Sequence, residues 1–151
     1  MTTRSRGFSA LALVVFGLLV ASTANLTAQD RIWSALVLAT NEKPAKAIPD
    51  SLKPFAGQLQ KVFGYNSFYV LGEKRQRVKE GDSEWILPSK EVFLHLTALN
   101  KEVSTYEMSL DLYARKKLTL TSRVKLARGA PLYIRGPQWG NGQLIYILEI
   151  Q

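Results

Sequence analysis

The chain has no cysteine and a single histidine, His95. No disulfide can staple it, no thiol can act as a nucleophile, and a zinc site built on several His or Cys ligands is excluded. A histidine-activated serine would have to use His95, and no Gly-x-Ser-x-Gly elbow is present. No phosphate-binding Gly-Lys-Ser/Thr loop, internal repeat or low-complexity stretch appears either. The carboxylates available for glycoside hydrolysis, Glu84, Glu91, Glu107 and Asp111, lie on or beside expected strands among basic residues, where solvated surface charge is the simpler reading. This inventory argues against an enzyme and calls for no cofactor and no metal. A hydrolase is retained only as a third reading, to be revived by a pocket converging on Glu91, His95 or Glu107.

What is present begins with an apolar leader. Arg4 and Arg6 form a basic start, Phe8 to Val20 is apolar apart from Ser9 and Gly17, and small residues follow. That order is the pattern of a secretory signal peptide over residues 1–28, with cleavage expected after Ala28 and an alternative site after Ala24. The apolar core is shorter than the roughly 20 residues of a spanning helix, which disfavours a retained anchor. Small exported eukaryotic domains lean on disulfides, so their absence points to a bacterial exported protein, periplasmic or extracellular, held together by its core. Residues 29–151 are then expected to form a single small α+β domain.

The charge balance is basic: 20 Lys and Arg stand against 12 Asp and Glu, and the excess survives loss of Arg4 and Arg6. Such an excess suits anionic polymers, anionic lipid surfaces or an acidic protein, and equally serves to blunt exposed sheet edges. Export argues against nucleic acid, as does the sparse interleaving of aromatics with the basic groups.

Two nearly continuous apolar runs, Ile32 to Leu38 and Gln143 to Ile150, read as strands buried on both faces, with the last strand as the organising element. Leu52, Phe55, Leu59, Val62 and Phe63 recur at helical spacing, predicting one covering helix over about residues 51–63. Asp50 or Ser51 is the expected cap, Pro54 must fall in the first turn, and Gly64 suits the left-handed end. Ser67 to Lys79 reads as a strand that turns at Gly81-Asp82 into a return strand at Trp85, a hairpin with a charged arm. Val92 to Ala98, Tyr106 to Leu112 and Leu118 to Leu126 alternate strictly, with Leu118, Leu120, Ser122, Val124 and Leu126 expected inward. These strands, with Leu132 to Arg135, are expected to flank the last strand and share its core. Glu107 and Asp111 facing Arg123 and Lys125 suits an antiparallel ladder. The result is mostly antiparallel β-sheet, or a β-sandwich, with a single helix.

Two features exceed what such a fold needs. The glycine loop Gly136 to Gly142 carries Trp139 at its expected tip, where it either anchors a contact or folds back over the sheet end. The hairpin tip of residues 114–117 concentrates Arg115, Lys116 and Lys117, with Arg135 nearby in sequence to the loop. These five residues are the candidate contacts. The segment Leu59 to Gly72, a helix ending in Phe-Gly-Tyr, together with Gly129 to Ile145, a Gly-rich turn before an apolar strand, resembles small, uncharacterised exported bacterial proteins. A fainter similarity is to short periplasmic domains of secretion pores. Neither resemblance implies an activity. The leading expectation is a non-enzymatic bacterial envelope protein that binds another envelope component through a sheet edge or the Trp139 loop. The alternative is attachment to a polyanion or anionic membrane surface through the basic hairpin tips.

Overall fold

The computed structural model describes residues 29–79, 81, 83–86 and 91–151, for 83–86 the backbone alone. The expected leader over residues 1–28, the second residue of the Gly81-Asp82 turn and the break expected at 88–90 lie outside the described residues. The last strand, β8 (Gly142–Ile150), is buried along nearly its whole length. It lies between β1 (Arg31–Thr40) and β7 (Leu132–Trp139), and β2 (Ser67–Arg77) completes an antiparallel sheet of order β2-β1-β8-β7. The run Leu-Ile-Tyr-Ile-Leu needs no polar alternation because both of its faces are covered. Leu144, Tyr146, Leu148 and Ile150 face a second sheet, whereas Ile145 and Ile147 face the helix.

The second sheet has the order β3-β4-β5-β6, with β3 (Ser83–Ile86), β4 (Val92–Glu102), β5 (Thr105–Ala114) and β6 (Lys117–Ala127). Its inward row, Val92, Leu94, Leu96, Ala98, Tyr106, Met108, Leu110, Leu112 and Leu126, interlocks with the β8 row in one core. The alternation of β4 and β5 is as the sequence predicts, because each strand has one wet face. Of the strands expected to flank the last one, only β7 does so. The strands β4, β5 and β6 share its core from the facing sheet, since alternation reveals which face is buried but not which strand is the neighbour.

Two pairings differ from expectation for a similar reason. The return strand does not fold back on β2: β3 pairs with β4 instead. Between them Val78 turns into the inter-sheet core, its N–H bonded to the Asp30 carbonyl at 3.0 Å, and the Gly81 N–H reaches the Ala98 carbonyl at 2.7 Å. The chain thereby crosses from one sheet to the other. On β6 a bulge sets Tyr113 opposite Leu118 but Leu112 opposite Leu120, leaving Thr119 as the extra residue. Such an insertion reverses the face of every side chain on one side of it. Leu118 is therefore outward and 47% exposed, against the expectation that it points in. Leu120 keeps its inward side but sits at an edge, 41% exposed. Glu107 faces Lys125 as expected, while Asp111 faces Thr121, whose hydroxyl donates to it at 2.8 Å.

A 3₁₀ turn over Asp50–Phe55 leads into α1 (Ala56–Phe63), and together they cover the outer face of the first sheet. Pro54 falls ahead of α1, where its missing N–H breaks no α-helical bond. Gly64 ends the helix with φ 73° and donates to the Gln60 carbonyl at 2.9 Å, as a left-handed terminus should. Neither Asp50 nor Ser51 caps the helix; Asp50 pairs with Lys53 at 2.6 Å instead. Val62 is outward, 49% exposed. Three residues per turn in the 3₁₀ segment advance the phase, so Phe63 takes the position on the sheet and Val62 rotates off it. Leu52, Phe55 and Leu59 are buried against Trp33, with the Phe55 and Trp33 rings stacked at 5.1 Å. Among the described residues no helix is long and apolar enough to cross a membrane.

One end of the sandwich is closed by a buried carboxylate. Asp30 accepts from the Tyr106 hydroxyl at 2.7 Å and from Lys101 Nζ at 2.8 Å, and pairs with the Arg128 guanidinium. Three donors around a side chain only 5% exposed satisfy the charge that burial would otherwise penalise. The sequence carries no sign of this cluster, which joins residues about 70 to 100 positions apart.

Candidate functional site

The opposite end carries the residues singled out from sequence. The β5–β6 turn is only two residues long, Arg115 and Lys116, with φ 49° and 64°. Two left-handed central residues define a type I′ turn, the form whose twist matches a hairpin and which normally uses Asn-Gly. Holding two side-chain-bearing residues there costs about 1 kcal/mol each. Lys117, the first residue of β6, is exposed beside them, so three cations project from one tip.

The segment from Gly136 to Gly142 is mostly strand rather than loop. The strand β7 continues to Trp139 through a bulge between Arg135 and Gln138, leaving a two-residue turn at Gly140-Asn141. The bulge is pinned from β8, where the Gln143 side-chain amide donates to the carbonyls of Gly136 and Pro137. Trp139 is the last strand residue and 39% exposed. Gly142 is glycine because β1 passes close by: a Cβ there would stand 2.6 Å from the Ala39 carbonyl oxygen.

The basic tip and Trp139 lie at the same end of the two sheets. Leu112, Ala114, Thr119 and Leu120 on one side, and Arg135, Gly136 and Pro137 on the other, line a groove of about 250 Å³ at the open seam between β6 and β7. The tip begins directly after Ala114, and Trp139 follows Pro137 by two residues. Arg135 contributes to the seam, but its guanidinium turns to the helix side and lies over the Phe63 ring at 5.4 Å. It is therefore separated from the three tip cations that the sequence placed with it.

On the wet face of the second sheet the bulge aligns Phe93, Tyr113 and Leu118 in a cross-strand row, with the two rings stacked at 4.8 Å. That row ends at the free edge of β6. The four sheet edges differ: β3 is four residues long, β7 carries Pro137 and a bulge, and β2 presents Lys74, Arg75 and Arg77. Each is protected in a familiar way. The strand β6 is an eleven-residue edge without proline, bearing Thr121, Arg123 and Lys125 outward.

The loop after β1 is fastened at this end too. Asn66 and the Glu42 main chain exchange hydrogen bonds of 2.9 and 3.0 Å, and the Ser67 hydroxyl accepts from the Lys46 N–H at 3.0 Å. The Glu42 carboxylate accepts from the Tyr69 and Thr40 hydroxyls. The Tyr69 hydrogen bond, aided by Thr40 and by the charge of Lys46, holds Glu42 below its ordinary value of 4.5 against some desolvation. The same bond raises the Tyr69 phenol above 10.0.

The residues named for a hydrolase are on the second sheet. His95 and Asp111 face each other across β4 and β5 at 3.8 Å on the wet face, and Glu107 shares that face opposite Lys125. Glu91 precedes β4 and offers its carbonyl to the Arg115 N–H. The side chain of Glu84 lies outside the described residues. None of these residues lines the seam groove. Among the described residues no three His, Asp or Glu side chains gather as a metal site would require. No protein-family model, curated protein or solved structure matches the chain.

Proposed function

We propose that this chain is an exported, non-enzymatic binding domain of the bacterial envelope. Its partner is an acidic, extended segment of another envelope protein, paired along the edge of β6 and held by the basic tip and Trp139. The observation that carries this reading is the tip itself. Arg115 and Lys116 occupy a turn geometry that Asn-Gly would fill without strain, and they do so beside a long edge whose outward charges, Arg123 and Lys125, suit an acidic strand. Strain kept at an exposed site is a pointer to use. A strand added to β6 would gain main-chain hydrogen bonds, extend the Phe93-Tyr113-Leu118 row and meet Arg123 and Lys125 with its acidic side chains.

The test is capture from an envelope extract by wild-type protein, Trp139→Ala, the charge reversal Lys116→Glu with Lys117→Glu, and Lys61→Glu on α1 as a control. A partner retained by the wild type and the control and lost by the two site variants is the expected result. Equal capture by all four, or no partner at all, overturns the proposal. A second reading, attachment to an anionic lipid surface, is favoured by three adjacent cations beside a half-exposed tryptophan. It requires cosedimentation with phosphatidylglycerol vesicles that falls steeply between low and physiological salt, because such attraction is screened.

A further inference from the structure

The other end of the molecule, on the helix side of the first sheet, holds a second groove of about 510 Å³ between the 3₁₀ turn, the β6–β7 connection and the end of β8. Its volume is in the range of small-ligand sites. Pro54, Phe55, Ala130, Pro131 and Tyr133 supply apolar walls, and Glu149 supplies a charge. The walls are fixed before any ligand arrives. Phe55 is stacked on the buried Trp33, and Tyr133 meets Phe55 edge-on at 6.5 Å and Phe63 at 6.4 Å. Gly129 turns the connection with φ 71° and donates to the Ile150 carbonyl, which holds Ala130 and Pro131 in place.

The unexpected member is Glu149. In a chain with a large excess of Lys and Arg, this half-buried carboxylate has no salt-bridge partner among the described residues; it accepts a hydrogen bond from the Gln151 side-chain amide at 3.2 Å. The cations brought near it by the strand register are engaged elsewhere: Arg75 with the Gln151 side-chain amide oxygen at 3.2 Å, and Arg128 with Asp30. Burial, and then the charge of Glu149, raise the Tyr133 phenol above its ordinary value of 10.0, so the phenol stays neutral beside that carboxylate. A carboxylate against aromatic rings in a preformed apolar groove is the chemistry that receives an alkylated cation.

We propose that this groove binds an organic ammonium group, its charge on Glu149 and its carbon skeleton against Phe55, Tyr133 and Pro131. The site is independent of the contact surface at the opposite end and does not rest on its assignment. Two sources share this chemistry, a free small cation and a lysine side chain of a polypeptide.

The experiment titrates the full protein with choline, with its neutral isostere 3,3-dimethylbutanol, and with N-acetyl-lysine methylamide, following amide shifts at residues 129–133 and 149 by NMR. Saturable binding of a cationic probe in the millimolar range is expected, with the isostere about tenfold weaker, as a weak ion pair plus a cation–π contact implies. Glu149→Gln, half-exposed and isosteric, should lower cation affinity about tenfold while leaving the isostere unchanged; Tyr133→Leu should weaken the cation as well. Preference for choline identifies a small-molecule site, and preference for the lysine derivative a site for a basic side chain. Equal binding of choline and its isostere, insensitivity to Glu149→Gln, or no saturable shift with either cation overturns the proposal.

Discussion

Two buried tyrosines in one core provide an internal comparison. Tyr106 is 2% exposed and donates to the Asp30 carboxylate at 2.7 Å. Tyr146 is fully buried at the centre of β8, between Leu36 on β1 and Ile134 on β7, and its hydroxyl has no partner among the described residues. Burial alone pushes its phenol far up. An unmet buried hydroxyl costs about 1–3 kcal/mol relative to water. Replacing it by hydrogen in Tyr146→Phe leaves a void of only about 10 Å³, worth roughly 0.2 kcal/mol. The expected net effect is a stabilisation of about 1–2 kcal/mol, seen as a rise in Tm of roughly 4–8 °C for a domain of this size. Tyr106→Phe removes a bond to a charged acceptor and should destabilise by about 1.5–3 kcal/mol. Urea unfolding followed by tryptophan fluorescence measures both, and an unchanged m-value shows that the unfolded ensemble has not altered. Loss of more than about 1 kcal/mol in Tyr146→Phe would refute the reasoning, because it would mean that the hydroxyl is satisfied.

Other expectations follow from particular contacts. Gly142→Ala should cost about 1–3 kcal/mol, since the added methyl meets the backbone of β1 and cannot be accommodated by a rotamer change; a neutral result in thermal unfolding would contradict the close approach. Arg115→Asn with Lys116→Gly should raise stability by about 1–2 kcal/mol by relieving the left-handed strain, yet abolish partner capture. Tyr69→Phe should return the Glu42 carboxyl towards 4.5, read from its pH-dependent carbon shift. Because the folded value of Glu42 is depressed, its contribution is present above about pH 4.5 and lost as pH falls through the folded value. The raised Tyr69 phenol contributes below about pH 10 and loses that contribution as pH rises through its folded value. The 41–49 loop should therefore show its greatest protection from amide exchange between those limits.

The readability of the chain tracks how many faces of an element are covered. β1 and β8 were plain because two covered faces permit an unbroken apolar run, and β4 and β5 because one covered face forces alternation. Periodicity carries no information about partners, so the crossing at Val78 from one sheet to the other resembled a hairpin. A single inserted residue at Thr119 leaves the pattern of Leu118 and Leu120 intact while turning one of them outward. The end proposed for contact is partly legible, since Arg115, Lys116, Lys117 and Trp139 are conspicuous in the sequence; the direction taken by Arg135 is not. Asp30 and Glu149 were invisible because each is one acid among many until distant strands assemble around it.

Arg31 and Gln151 exchange main-chain hydrogen bonds of 3.2 and 2.8 Å, at the pole remote from Trp139. A tether or fluorescent fusion added at Gln151 would thus orient the domain with its cationic pole outward and leave that pole unobstructed. The same adjacency means that, in a permutant made from residues 29–151 alone, a short linker can join residue 151 to residue 29 while the chain is opened at the solvent-facing Val103-Ser104 turn. Such a permutant should retain the sandwich.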